Sequence, residues 1–395
     1  MFSGKHILIV VENLPVPFDR RVWQEANTLR EQGAHVSIIC PKMKGYTLSY
    51  EVIDGIEIYR HSLPVEAHGA LGYLLEYSVA LFWEFWLSMR IYFRRPFHVI
   101  HGCNPPDLIF IVAILFKLVG VKYVFDHHDI NPELYIAKYD RKGIFYKFLL
   151  LAERLTFATA NYSIATNESY KEIAIRRGKM RPERVQVVRS GPKLDRLNPG
   201  DGDSKYKKGR SYLIGYLGVI GEQEGLDLLL QSAKIITDKR QDVQFAIVGG
   251  GTELEKLRAM AKAMQLDPFV DFYGRVDDAL MVDILNTTDV CVNPDRPTEM
   301  NNLSTMNKIM EYMALKKPVV QYDLKEGRFS AQEASLYAVN TSTEDFAEKI
   351  MWLLDHPEKR EEMGKYGYNR VINELSWSHE SKNLILVYQK VFGMK

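Results

Sequence analysis

Cysteine is scarce in this chain: three in 395 residues, Cys40, Cys103 and Cys291. They stand far apart, with neither metal-ligand spacing nor the density of a disulfide framework, so a reducing cytosol is the expected compartment. An uncharged apolar run long enough to cross a bilayer is also absent. The most apolar stretch, residues 71–95, is interrupted by Glu76, Glu84 and Arg90, which argues against a membrane span. The chain start, MFSGKHILIV, shows no basic leader, long apolar core or cleavage site, so no secretory signal is expected. Net charge is nearly absent too, at +1, and no nucleic-acid partner is expected. That balance hides an asymmetry. Through Pro192 there are 24 Lys and Arg against 19 Asp and Glu, and the remainder carries 27 against 31. A basic first half suits an acidic partner such as an anionic membrane surface or a lipid diphosphate.

What is present is alternation between strand-type and helix-type segments. HILIVVE leads through residues 13–21 (NLPVPFDRR) into an amphipathic helix and then HVSIIC. This spacing is a βαβ unit and implies a parallel sheet, whose ligands sit beyond the carboxyl ends of the strands. The 13–21 loop is therefore expected at a ligand site. Arg20 and Arg21 are candidates for an acceptor phosphate, with pairing to Asp19 or Glu25 as the plainer reading. Two further strand ends carry polar loops: Asn104 to Asp107, and Asp126-His127-His128-Asp129. Asn104 and Asp129 join the acceptor candidates. The histidines and acids resemble a metal ligand set only loosely, and no metal is expected. Residues 193–211, rich in Gly, Asp and Lys, read as a linker. A second α/β pattern follows from residue 212. Its glycines Gly218, Gly221 and Gly225 lack the dinucleotide spacing, but still let backbone approach a diphosphate. Gly249 and Arg275, each just beyond a strand, are candidates for contact with a nucleotide.

Two segments are rich in aromatics with basic flanks. Residues 71–95 end in Arg90, Arg94 and Arg95, and residues 138–157 mix Lys138, Arg141, Lys142 and Lys147 with Phe145, Tyr146 and Phe148. A helix packed on the sheet and a helix lying in a membrane interface both fit the first. The second segment adds weight to the interface, so peripheral attachment to the inner face of the cell membrane is expected.

The most informative stretch is residues 301–320, NNLSTMNKIMEYMALKKPVV. A polar loop containing Ser304 and Thr305 is expected to enter a helix carrying Lys308 and Glu311. Three residues apart, these two share one helical face. A helix start plus a lysine suits a phosphate, and a glutamate beside it suits a ribose diol. A solvated Lys–Glu pair is the plainer alternative.

This run resembles the nucleotide-sugar site of glycosyltransferase family 4, a retaining family with the GT-B fold. PVPFDRRVWQEANTL resembles the first loop and helix of the family's bacterial polysaccharide members. The resemblance implies two Rossmann-like α/β domains facing across a cleft. Residues 1–192 would form the acceptor domain, 212–377 the donor domain, and the last helix, 378–395, would pack back on the first. It implies transfer of a sugar, with retention and without a metal or other cofactor, from a nucleotide diphosphate sugar to a hydroxyl. A UDP-sugar is the expected donor and a lipid-linked saccharide the expected acceptor. Glu311 matches the ribose-binding glutamate and Lys308 a lysine that meets the diphosphate. Gly218, Gly221, Gly249, Arg275, Ser304 and Thr305 complete the donor candidates. His128 is the choice for the family's functional histidine, with His127 second. The sequence also departs from the family. Leu303 stands where the first glutamate falls, and Val219 and Glu224 replace the usual Arg and Lys of the glycine loop. A small-molecule acceptor, or nucleotide-sugar binding without transfer, are the rival readings.

Overall fold

The computed structural model describes residues 1–63 and 69–394. It divides into two compact units, Met1–Ser190 with Glu380–Lys395, and Gly191–His379.

The first unit is built on eight strands: β1 (His6–Val11), β2 (His35–Pro41), β3 (Tyr50–Ile53), β4 (Ile56–His61), β5 (Val99–Cys103), β6 (Lys122–His127), β7 (Tyr162–Ala165) and β8 (Val185–Val187). Their order in the sheet is β3-β4-β2-β1-β5-β6-β7-β8. Only the β3–β4 pairing is antiparallel; β1, for example, runs parallel to both β2 and β5. Every residue of HILIVV is buried, as expected of a parallel strand covered on both faces. The helices are α1 (Arg20–Glu31), α2 (Gly69–Arg94), α3 (Phe110–Lys117), α4 (Asn131–Tyr139), α5 (Ile144–Thr159) and α6 (Glu168–Arg176). Asp19 caps α1, accepting from the Val22 N–H at 3.0 Å, which is the N-cap role its side chain favours. From Glu380 the C-terminal helix Trp377–Phe392 belongs to this unit, where Tyr388 is buried.

Helix α2 is oriented against its own composition. Glu84 and Ser88 are buried beside Leu87 and Ile91, while Phe82, Trp86 and Phe93 are exposed. Glu76, the first of the charges that interrupt this segment, lies outside the described side chains. Burial, reinforced by the charge of Glu12, holds the Glu84 carboxyl well above its ordinary value, so it sits inside as the neutral acid.

The second unit has six parallel strands: β9 (Tyr212–Leu217), β10 (Val243–Val248), β11 (Val270–Gly274), β12 (Val290–Asn293), β13 (Val319–Tyr322) and β14 (Ser335–Ala338), ordered β11-β10-β9-β12-β13-β14. Residues 193–211, read from sequence as a linker, are packed as part of this unit. They form two short turns of 3-10 helix, and Tyr206 is buried with its hydroxyl on Asp283 at 2.8 Å. At the carboxyl ends of β9 and β10 two glycines touch. A Cβ at Gly249 would stand 1.7 Å from the Gly218 carbonyl oxygen, and Gly249 has φ +139°. Gly249→Ala should therefore lower stability by at least about 1–3 kcal/mol. Gly250→Ala, whose Cβ would meet open space, should stay near wild type. Urea unfolding of the two variants measures the contrast.

Candidate functional site

In the first unit, polar side chains gather where β5 and β6 end. Arg21, in the first turn of α1, points inward and is buried; Arg20, one position earlier, is exposed. Arg21 grips Asp126 with two bonds, Nη2 to Oδ1 at 2.8 Å and Nε to Oδ2 at 3.2 Å. It also donates from Nη1 to the Val188 carbonyl at 2.8 Å and the Ser190 hydroxyl at 3.1 Å, and pairs with Glu25 at 3.1 Å. His101 lies 3.3 Å from Asp126 through Nε2 and 2.7 Å from the Tyr388 hydroxyl through Nδ1. Burial disfavours the Asp126 charge, but the Arg21 cation, His128 and the bonds from both histidines hold it well below the usual carboxylate range. Glu25 goes the other way: burial, with the Asp126 charge added, raises it well above.

His128 is the partly exposed member. Its Nε2 meets Asp126 Oδ2 and lies 3.0 Å from Arg21 Nε. The Arg21 Nε–H donates to the same nitrogen that meets the Asp126 carboxylate, so Asp126 and Arg21 together set the orientation of the ring. His127 is instead buried among Phe125, Phe157 and Tyr170. Asn104 is fully buried and spent on the loop. It donates to Asp107 Oδ1 at 2.8 Å and the Asp129 carbonyl at 2.6 Å, and accepts from the His128 and Asp129 amides. It braces the loop and has nothing left for an acceptor, as has Arg21. Asp129 and Arg20 are the acceptor candidates with side chains at least partly open to solvent; burial raises the Asp129 carboxyl.

Glu25, His101, Cys103 and Asp126 also place one ligand atom each within 4.8 Å. Arg21 already fills that place with a cation, bonded to both carboxylates.

In the second unit the candidates converge at the ends of β9 and β12. Helix Asn307–Ala314 is tied to both strands by Tyr312, whose hydroxyl accepts from the Leu217 amide at 2.7 Å and reaches the Val292 carbonyl at 3.3 Å. Lys308 lies in its first turn. Its Nζ donates to both oxygens of Asp295, at 2.9 and 3.2 Å, and stands 4.9 Å from the centre of the Tyr216 ring. A Cβ at Gly218 would lie 3.3 Å from Lys308 Cε and 2.8 Å from the Tyr216 hydroxyl. Glycine there is what lets the lysine lie against the loop. Burial raises the Asp295 carboxyl, and Lys308 opposes it. Glu224 is also raised by burial and opposed by Lys308, so two acids flank this lysine. Glu311, on the same helix face, is ion-paired with Arg196.

Two expectations need correcting. Residues 301–303 are not loop: Glu299–Leu303 is a short helix capped by Thr298, whose Asn301 donates to the Gln223 and Arg296 carbonyls at 2.9 Å. Ser304 and Thr305 form the break between it and the next helix, with the Ser304 hydroxyl donating to Met300. The amides of Gly218 and Gly249 do not point at a ligand; they donate to the Val248 and Gly274 carbonyls at 3.0 and 2.8 Å. At Gly221 a Cβ would stand 2.6 Å from Glu224 Oε2, so glycine is what admits that acid beside the loop. Arg275 is exposed. The sequence reading missed Asp295, Tyr216 and Arg196, and in the first unit His101 and Tyr388; Glu25 it offered as a partner for Arg20 or Arg21, and Arg21 takes it. Asp295 alone had a signal: it follows a strand at its carboxyl end, where ligands gather.

Two family models match the chain: residues 19–191 match "Glycosyl transferase 4-like domain" and residues 211–356 match "Glycosyl transferases group 1". The Staphylococcus aureus capsular polysaccharide biosynthesis glycosyltransferase CapM is 27% identical over 256 residues, 60% of this chain and 63% of that protein. The match thus spans under two thirds of that relative. Sucrose-phosphate synthase from Thermosynechococcus elongatus superposes with a TM-score of 0.81 at 17% identity, covering 98% of this chain and 99% of the other. Anabaena HepE in complex with UDP-glucose gives 0.72 at 14%, covering 98% and 99%. At such identities the likeness is one of fold.

Two tests follow from the first unit. Arg21→Met strands buried carboxylates and should cost about 3–5 kcal/mol; adding Asp126→Asn should recover part of that in urea unfolding. The second concerns His127. Burial, then the Arg177 charge, lowers it to about 3 from 6.5. Between those values the unfolded chain binds a proton that the folded chain refuses. The residue's contribution is therefore complete above pH 6.5 and is lost as pH falls toward 3, by up to about 1.4 kcal/mol per pH unit. His127→Phe should flatten the acid side of the stability profile relative to wild type. Overlaying profiles would mean the ring does not stay neutral.

Proposed function

We propose, for a chain built from two glycosyltransferase domains in the GT-B fold, that it moves a sugar with retention from a nucleotide diphosphate sugar to a hydroxyl of a lipid-linked saccharide. The observation that carries this is the convergence of Gly218, Asp295, Lys308 and Glu311 at the carboxyl end of the second sheet. Helix start, lysine and glutamate offer a diphosphate and a ribose their partners in the right order along one face. HepE, a neighbour in fold, was crystallised with UDP-glucose, and this supports a UDP-sugar here. The relation to a capsular polysaccharide enzyme supports a role in surface-glycan assembly.

As the glycosidic bond breaks, negative charge grows on the leaving diphosphate, and Lys308 with the first-turn amides of its helix answers it. This chemistry calls for no metal. Asp295 orients the lysine: both its oxygens accept from Nζ, so it is not available as a covalent nucleophile. Attack on the same face as the leaving group, with the departing phosphate taking the acceptor proton, is the route these residues favour. In the first unit His128, steadied by Asp126, is assigned to the sugar and Asp129 and Arg20 to the acceptor.

Attachment to the inner face of the membrane belongs to the same reading. No helix among the described residues is long and apolar enough to cross a bilayer. Yet α2, α3 and α5 expose Phe82, Trp86, Phe93, Leu115, Leu118 and Ile144, and α3 packs against both other helices. Outward apolar side chains on neighbouring helices suit an interface.

The donor assignment is tested by UDP-sugar binding and turnover in excess EDTA. Glu311→Ala should weaken donor binding about tenfold or more, through loss of a charged hydrogen bond. Arg196→Ala, which breaks the same ion pair but spares the carboxylate, should not. Lys308→Ala should depress turnover more than binding. Equal losses in the two partners of the ion pair, or activity abolished by EDTA, would overturn the assignment.

A further inference from the structure

A groove of about 560 Å³ opens between α4 and α5, a size typical of ligand sites. Its lining is chiefly apolar, with Leu134, Phe145, Phe148 and Leu149 among the walls. The mouth is marked by Ile144 and Phe148, both exposed, and the rim carries Lys138 and Arg141. An apolar trough with cations at its edge complements an amphiphile that has a hydrocarbon chain and an anionic head. Asp107 forms part of the inner wall. Through Asn104 it is linked to the backbone of His128 and Asp129, the acceptor candidates. Beyond the mouth, α5 continues to present Leu151 and Leu155 to the outside, so a long chain leaving the groove stays on apolar surface.

We propose that this groove holds the first prenyl units of a polyprenyl-diphosphate acceptor, with Lys138 and Arg141 meeting the diphosphate. The assignment rests on the lipid-linked acceptor of the proposed function and gives that acceptor its place in the first unit. Diphosphate and chain are recognised together: two cations on one rim match a multiply charged head better than the single phosphate of a phospholipid. The groove gives the chain an enclosed start, and the exposed faces of α5 and α3 carry the rest toward the bilayer.

The test is equilibrium binding to the full chain of geranylgeranyl diphosphate below its micelle-forming concentration. Inorganic pyrophosphate, geranylgeraniol and dihexanoyl phosphatidylglycerol serve as comparisons, and UDP-glucose binding is measured on the same samples. The prenyl diphosphate should bind about 100-fold more tightly than pyrophosphate and about tenfold more tightly than the alcohol. Leu149→Trp, which fills the groove, and the double variant Lys138→Glu/Arg141→Glu should each cost about tenfold. If the tryptophan variant does not fold, Phe148→Ser at the exposed mouth decides in its place, with a loss of about threefold or more expected. Binding no tighter than pyrophosphate, indifference to these substitutions, or equal affinity for the short phosphatidylglycerol would each overturn the groove assignment. With UDP-glucose binding intact, those results leave the donor reading standing. Prenyl binding that persists where UDP-glucose is ignored upholds the groove and sinks the donor reading instead.

Discussion

A parallel sheet covered on both faces has no room for ionised side chains along its strands. The central strands β1, β10, β12 and β13 obey that constraint: they are buried at every position and carry no Asp, Glu, Lys or Arg. Charge is therefore driven to the strand ends, where the chain turns toward the next helix. The ion-paired clusters of both units gather around those ends.

The two units solve the resulting electrostatic problem alike. Each places a buried aspartate at or just beyond the carboxyl end of a strand, Asp126 in one and Asp295 in the other. Each answers it with a cation from the first turn of a nearby helix, Arg21 and Lys308. The choice of cation matters. Arg21 can satisfy Asp126, Glu25, a carbonyl and a hydroxyl at once through its planar fork, and it is spent in doing so. Lys308 is a point charge on a flexible stem, held by one carboxylate and still partly exposed. The first arrangement positions His128 through Asp126; the second keeps a positive charge where a ligand could claim it.

The departures in the glycine loop acquire a physical sense from this arrangement. Val219 and Glu224 stand where the family resemblance leads one to expect cations, and Glu224 is one of the two acids flanking Lys308. The site thus holds one lysine among carboxylates rather than a cluster of like charges. Arg196, from the segment before β9, neutralises Glu311. Leu303 closes the short helix Glu299–Leu303, and nothing in the structure explains why it replaces an acid.

Local pattern alone determined the two parallel α/β sheets and the shared face of Lys308 and Glu311, because strand and helix periods are properties of neighbouring residues. Tertiary structure decided the partners. Arg21 and Asp126 are 105 residues apart, and no periodicity announces that they meet. Arg20 and Arg21 are equivalent in composition, yet a helix turns each residue about 100° from the last, so one faces solvent and the other the core. Asn104, a plausible ligand-binding residue by type, became a brace because the 128–129 loop folds over it. Helix α2 shows the same limit most plainly. Its Glu84 and Ser88 face inward, with Glu12 and His61, at the ends of β1 and β4, close by, while Arg90 faces out. Its aromatics were left outside by neighbours that no reading of residues 71–95 contains.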